Sequence, residues 1–97
     1  MAEEPTWKER LARFYLGRGT IRHAQAKYEE AIRYYRKSLS LNPYFAPTYS
    51  NIAAALDSLG RYWEAIEECN KALLLDPFEY GAIVNRFIAE WHLQGKS

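Results

Sequence analysis

Two histidines, one cysteine and two adjacent glutamate pairs are the side chains in this 97-residue sequence best suited to chemistry. His23 and His92 could each ligate a metal, but no Cys, Asp or Glu stands at ligand spacing from either, so no metal site is expected. Cys69 would need an exposed, electropositive setting to act as a nucleophile. Helical periodicity puts it instead on a buried stripe, where cysteine behaves as a small hydrophobe. Glu29-Glu30 and Glu67-Glu68 could work as acid and base only if both carboxylates faced one site, and neighbours on a helix point to different faces. There is no glycine-rich phosphate loop and no Gly-x-Ser-x-Gly turn. The residues therefore predict neither an enzyme nor a cofactor. They predict binding.

The elements that carry these side chains are organised around Ala46 to Glu79. This stretch reads as two short helices, Pro47 to Leu59 and Tyr62 to Leu75, hinged at Gly60-Arg61 and closed by Asp76-Pro77. Displaced by 34 residues, Ala12 to Phe45 matches this stretch at ten positions, among them Tyr15/Tyr49, Tyr28/Tyr62, Glu30/Glu64, Ala31/Ala65, Ile32/Ile66 and Pro43/Pro77. Both second helices present one apolar face, through Tyr28, Ala31, Ile32, Tyr35 and Leu39 or Tyr62, Ala65, Ile66, Cys69 and Leu73. Alanines 31 and 65 stay small because helices cross there. Asn42-Pro43 and Asp76-Pro77 end these helices, since proline cannot donate a backbone hydrogen bond and disfavours helix in its predecessor.

Thr6-Trp7-Lys8-Glu9 is a capping box that starts the first helix ahead of the repeat frame, and Pro5 blocks a helix upstream of it. Gly19 occupies a small-residue slot filled by Ala53 in the second repeat. Gly17 has no such role and is a candidate kink. The first inner turn is weakly marked, with Ala26 where the second repeat has Gly60. One continuous helix from Thr20 to Leu41 is an alternative. The parallel between Tyr28–Ile32 and Tyr62–Ile66 favours a break near Ala26-Lys27. A fifth helix covers Tyr80 to Gln94. Its apolar positions Tyr80, Ile83, Val84, Phe87, Ile88 and Trp91 span an arc of about 140°, wider than the minimum for a core-facing helix.

Composition bounds the rest. The length suits one domain over residues 1–97, and 48% hydrophobic with 15% aromatic residues exclude global disorder. Net charge is +1, divided unevenly: residues 1–49 carry +4 and residues 50–97 carry −3. A single cysteine excludes an intramolecular disulfide. The N-terminus MAEEPTWKER lacks the apolar core of a signal peptide, and no apolar run approaches the length of a membrane span. The expectation is a soluble cytoplasmic protein.

The 34-residue helix–turn–helix period resembles the tetratricopeptide repeat family over about residues 12–95. Tyr49, Ile52, Ala53, Leu56, Ala65, Cys69, Ala72 and Pro77 fill the family pattern in the second repeat. Tyr15, Arg18, Gly19, Arg22, Ala31, Tyr35, Ser38 and Pro43 fill it in the first, with Arg18 and Arg22 departing from its apolar slots. The closing helix fits with one extra loop residue, as Val84, Phe87, Ile88 and Trp91. The resemblance implies an all-α, right-handed α-solenoid of antiparallel helix pairs: repeat one over 12–45, repeat two over 46–79, and a closing half-repeat over 80–95.

It also implies a concave groove lined by each repeat's first helix, in which an extended peptide lies. The groove positions are Arg13, Leu16, Thr20 and His23, then Ser50, Asn51, Ala54 and Asp57, then Asn85, Arg86, Ala89 and His92. Asn51 is placed to grip a peptide backbone, its amide donating and accepting at once. Family members that clamp a terminal carboxylate use two lysines, two asparagines and an arginine. Here Asn51 and Arg86 match, while Leu16, Thr20 and Ala82 (or Gly81) do not, so no such clamp is expected. The function implied is a protein-interaction module or scaffold with a peptide or protein partner.

Two alternatives stay open. Residues 10–37 hold eight basic and two acidic side chains with Tyr34 and Tyr35 among them, a composition that could bind single-stranded nucleic acid. The wide apolar arc of the last helix could dock a second copy through Phe87 and Trp91.

Overall fold

The computed structural model describes residues 6–95, which form five helices: α1 (Trp7–Ala24), α2 (Tyr28–Leu41), α3 (Ala46–Ser58), α4 (Tyr62–Leu75) and α5 (Tyr80–Leu93). No strand occurs among the described residues. Thr6 caps α1, its hydroxyl oxygen accepting from the Glu9 amide at 3.3 Å. Pro5, invoked as a block to any earlier helix, lies outside the described residues. The helix runs unbroken through Gly17, where an added Cβ would meet nothing within 4 Å. The 18 residues of α1 against 13 in α3 show the N-terminal extension that the capping box predicts.

The inner turns decide between two helices and one. Ala26 has φ of 61° and Gly60 has φ of 80°, both left-handed. Around each, two hydrogen bonds of the same pattern close the preceding helix. Ala26 N donates to His23 O and Lys27 N to Arg22 O; Gly60 N donates to Asp57 O and Arg61 N to Leu56 O, all at 2.9 Å. This is a Schellman ending, so α1 and α2 are separate helices even without a glycine between them. Gly95, with φ of 74°, is also left-handed after α5, and its N–H donates to His92 O at 3.0 Å. It lies 35 residues after Gly60, which matches the extra loop residue read in the closing helix.

The outer turns also repeat. Asn42 Oδ1 accepts from Tyr44 N at 3.4 Å, and Asp76 Oδ1 accepts from Phe78 N at 3.0 Å, bending the chain into the prolines' fixed φ. The core is correspondingly fine-grained: Ala31, Ala53, Ala65, Ala72, Ala82 and Ala89 are completely buried, with Tyr35, Ile52, Leu56 and Cys69 filling between them. Gly19 belongs to this set. A Cβ there would stand 2.6 Å from the Tyr35 ring and 3.1 Å from the Ala31 carbonyl.

Layering follows from which helices touch. α3 packs against α5 and touches α1 at a few points, whereas α2 and α4 do not approach one another through their backbones. The first helices thus crowd together on the inner side, and the second helices splay on the outer side. Side chains bridge that outer gap: Arg36 pairs with Glu68, and Arg61 with Glu29 at 3.4 Å. The result is an elongated 50 × 28 × 16 Å body.

Candidate functional site

The inner face presents α1, α3 and α5 side by side, and its predicted residues divide by what already holds them. Four are joined in pairs that tie α3 to α5. Asn85 Nδ2 donates to the Ser50 carbonyl at 3.0 Å, and His92 Nδ1 lies 3.0 Å from Asp57 Oδ1 with its ring against Tyr62. Ser50 is 4% exposed and donates to Glu79, whose carboxylate also accepts from Ala82 N at 3.2 Å and so caps α5. These groups assemble the face from within.

On α1, Thr20 turns its hydroxyl to the Leu16 carbonyl at 2.9 Å. His23 Nδ1 meets the Tyr35 hydroxyl at 3.3 Å and its ring packs edge-on against Tyr28. Burial holds the His23 pKa below its ordinary value, so the ring is neutral at pH 7. Arg13 is exposed and makes no ion pair among the described residues. With Glu9, Leu16, Ser38, Asn42 and Phe45 it lines a cavity of about 160 Å³, room for one side chain rather than a whole ligand.

On α3, the half-buried Asn51 takes part in no side-chain hydrogen bond among the described residues. On α5, Arg86 donates to Asn70 Oδ1 at 2.9 Å and stands 3.9 Å from Glu90. That geometry uses part of its guanidinium and leaves other N–H groups available. Ala54 is half-buried and Ala89 wholly buried. Arg13, Asn51 and Arg86 therefore remain as polar groups with hydrogen-bonding capacity to offer, one on each first helix.

Sequence periodicity missed three contributors. Glu79 caps α5 although glutamate lies outside the usual N-cap residue types, so the sequence carried no cap signal there. Asn70 was unremarkable on an outer helix. Glu68 is 1% exposed, paired with Arg36 and standing 2.8 Å from Lys71, although adjacency to the buried Cys69 gave the only hint. Glu67 beside it faces another way, as the adjacent-pair argument requires.

Cys69 is fully buried, and burial pushes its thiol up to about 11, far from thiolate at neutral pH. No group of three or more His, Cys, Asp and Glu among the described residues is placed to hold a metal ion. No described helix is long and apolar enough to cross a membrane. Tyr35, one of the two tyrosines offered for base stacking, is 1% exposed and closed to it. Phe87 is 67% and Trp91 46% exposed; together with Glu90 and Gln94 they line an open depression on α5.

The chain has relatives that share this design. The tetratricopeptide repeat model matches residues 12–45 and 46–78. Mouse (Mus musculus) sperm-associated antigen 1 is 42% identical over 79 residues, covering 81% of this chain but 9% of that protein. The Plasmodium falciparum Hsp70-Hsp90 organising protein is 41% identical over 49 residues, half of this chain and 19% of the relative. This chain therefore corresponds to a small part of the relatives it matches. Among solved structures, the first TPR of Spaghetti (RPAP3) bound to the HSP90 peptide SRMEEVD superposes with a TM-score of 0.86 at 30% identity, over 90% of this chain and 69% of that one. The TPR2B domain of yeast Sti1 in complex with pHsp70 gives a TM-score of 0.81 at 30% identity, over 93% and 70%. With two matched repeats spanning most of its length, this chain belongs to the tetratricopeptide repeat family.

Proposed function

We propose that residues 1–97 work as one cytoplasmic interaction module, non-catalytic and scaffold-like, whose concave face takes an extended peptide from a partner protein. The observation that carries this reading is Asn51. A half-buried amide with no internal partner, central on the middle first helix, suits the alternating donors and acceptors of an extended backbone. Arg13 and Arg86 on the flanking helices would favour acidic side chains. One of these solved structures holds an HSP90 peptide and the other is a complex with pHsp70, which supports a peptide ligand here.

The mode of grip differs from a terminal-carboxylate clamp. Leu16 and Thr20 offer no cation, and Ala82, fully buried, stands where a lysine would be needed. Binding would then be indifferent to the peptide's C-terminus. An array of acidic heptapeptides, SRMEEVD included, each with a free or an amidated terminus, tests this. Asn51→Ala should abolish most signals and Lys71→Ala on the outer layer none, with free and amidated forms alike. A more damaging outer-layer change, or a tenfold preference for the free carboxylate, would overturn it.

A second reading concerns α5, whose exposed apolar face would dock a second copy. Ile88 stands in the slot held by Gly19 and Ala53, so the close packing of an ordinary second helix is blocked there. Antiparallel pairing about Phe87 and Ile88 would set Val84 opposite Trp91, small against large. Sedimentation at rising concentration should show a dimer that Phe87→Glu disperses; a monomer at every concentration would rule it out.

A further inference from the structure

Toward the N-terminal end of the solenoid, aromatic rings rather than carboxylates hold cations. Arg36, Arg61, Lys71 and Arg86 each lie against a carboxylate. Arg18, Arg33 and Lys37 have no such partner among the described residues, and rings hold two of them instead. The Arg18 guanidinium sits 5.5 Å from the Phe14 ring centre and 6.0 Å from that of Tyr34. Lys37 Nζ sits 5.4 Å from Tyr15 and 5.9 Å from Tyr34. Tyr15 and Tyr34 stack at 6.3 Å with 24° between planes. Glu30, the acidic neighbour beside Arg33 and Lys37, is itself within 3.8 Å of Arg22. A ring face positions a cation without neutralising it, so the positive field here is open to an external anion.

In the second repeat, Ile52 and Glu68 occupy the positions of Arg18 and Tyr34. Both are buried there, and Arg36 from the preceding repeat reaches Glu68. The first repeat has exchanged a packing surface for a charged one.

We propose that this end, formed by Phe14, Tyr15 and Arg18 of α1 and Arg33, Tyr34 and Lys37 of α2, is a second binding surface that takes an extended acidic peptide segment. The two ring-held charges share Tyr34 and lie within about 12 Å of each other. Same-face side chains of an extended peptide recur about every 7 Å, so two carboxylates on one strand face can reach both cations. Single-stranded nucleic acid would need a free ring face for its bases. Tyr34 has two cations and a stacked tyrosine against it, and Tyr35 is buried. Carboxylate therefore fits this surface better than a base does. The surface is separate from the inner face, and the proposal stands without the groove reading.

Fluorescence anisotropy on the full chain, with a labelled octapeptide of alternating glutamate and serine, provides the test. Measured in the Asn51→Ala background, which removes any groove binding, Arg18→Gln/Lys37→Gln is expected to weaken binding at least tenfold and to flatten its salt dependence, while an added Lys71→Ala changes neither. Tyr34→Leu, which keeps both charges and loses their shared ring, should weaken binding by a smaller factor. Circular dichroism confirms that each variant is folded. No binding by the wild type overturns the proposal, as does unchanged affinity in the double variant. Equal binding of a glutamine-for-glutamate peptide, or tighter binding of an oligothymidylate of equal charge, overturns it as well.

Discussion

Position for position, the first repeat has Arg18, Arg22, Ala26 and Tyr35 where the second has Ile52, Leu56, Gly60 and Cys69. The backbones are alike, down to the hydrogen bonds of the inner turns. What differs is what lies in front. α2 packs on α3, and Ile52 and Leu56 are buried to within 1%. No described helix precedes α1, and the same slots hold cations: Arg18 over rings, Arg22 bonded to Gln25 and near Glu30. One repeat pattern thus carries two surface chemistries, chosen by whether a neighbour covers it. The far end differs again, since α5 presents Ile83, Phe87 and Trp91 at 43%, 67% and 46% exposure.

The comparison breaks most visibly if a covered slot is given an end residue. Ile52→Arg would put an unpaired cation into a fully buried site and should cost on the order of 3–5 kcal/mol, enough to unfold a domain of this size. The reciprocal Arg18→Ile should change stability by no more than about 0.5 kcal/mol. Thermal melts of the pair decide. Equal losses would mean that covering is not what separates the repeats.

A second difference lies inside the helix pairs. Gly19 faces Tyr35 in the first repeat, and in the second repeat Ala53 and Cys69 occupy the same two positions, so volume missing from one helix is supplied by the other. Gly19→Ala should therefore destabilise by about 1–3 kcal/mol, because its Cβ enters the Tyr35 ring. Gly19→Ala/Tyr35→Cys recreates the second repeat's combination. The double-mutant cycle should show a favourable coupling of about 1 kcal/mol. Strict additivity in urea melts would show that the two positions do not share that space.

The inner turns offer a smaller exchange. Ala26 holds a left-handed conformation that costs an L-residue about 1 kcal/mol and glycine little. Ala26→Gly should stabilise by up to about 1 kcal/mol, and Gly60→Ala should destabilise by a similar amount. If Ala26→Gly destabilised, unfolded-state entropy would outweigh relief of the strain.

These contrasts also show how far the sequence could be read. The period of 34, the prolines and the small crossing residues predicted all five helices, because each marks backbone geometry that local chemistry enforces. The Schellman turn at Ala26 was legible only by analogy with Gly60, since alanine carries no left-handed signal of its own. On the inner face, helical phase put Ser50, Asp57, Asn85 and His92 on the correct helices. It could not say that they would bond to one another, because the distance between helices separated by a whole repeat is not local information. The same gap hid Glu68, whose partner Arg36 lies 32 residues earlier.

The smallest effect expected concerns the position shared by His23, Asp57 and His92. In the second repeat the carboxylate of Asp57 faces His92, whereas His23 meets only the neutral Tyr35 hydroxyl and the Tyr28 ring. Burial lowers the His23 pKa from the ordinary imidazole value of 6.5, so the unfolded chain binds the proton more readily than the folded one. Stability from this group is present above pH 6.5 and is lost as pH falls through and below it. His23→Gln keeps a side chain able to bond Tyr35 but does not titrate. Melting temperatures of the two proteins, compared from pH 7.5 down to about pH 5, should draw apart, with the wild type losing more. Carboxylates common to both chains cancel in that difference. A constant gap across the range would mean that His23 is as freely protonated folded as unfolded, and that its burial against Tyr28 and Tyr35 does not exclude water.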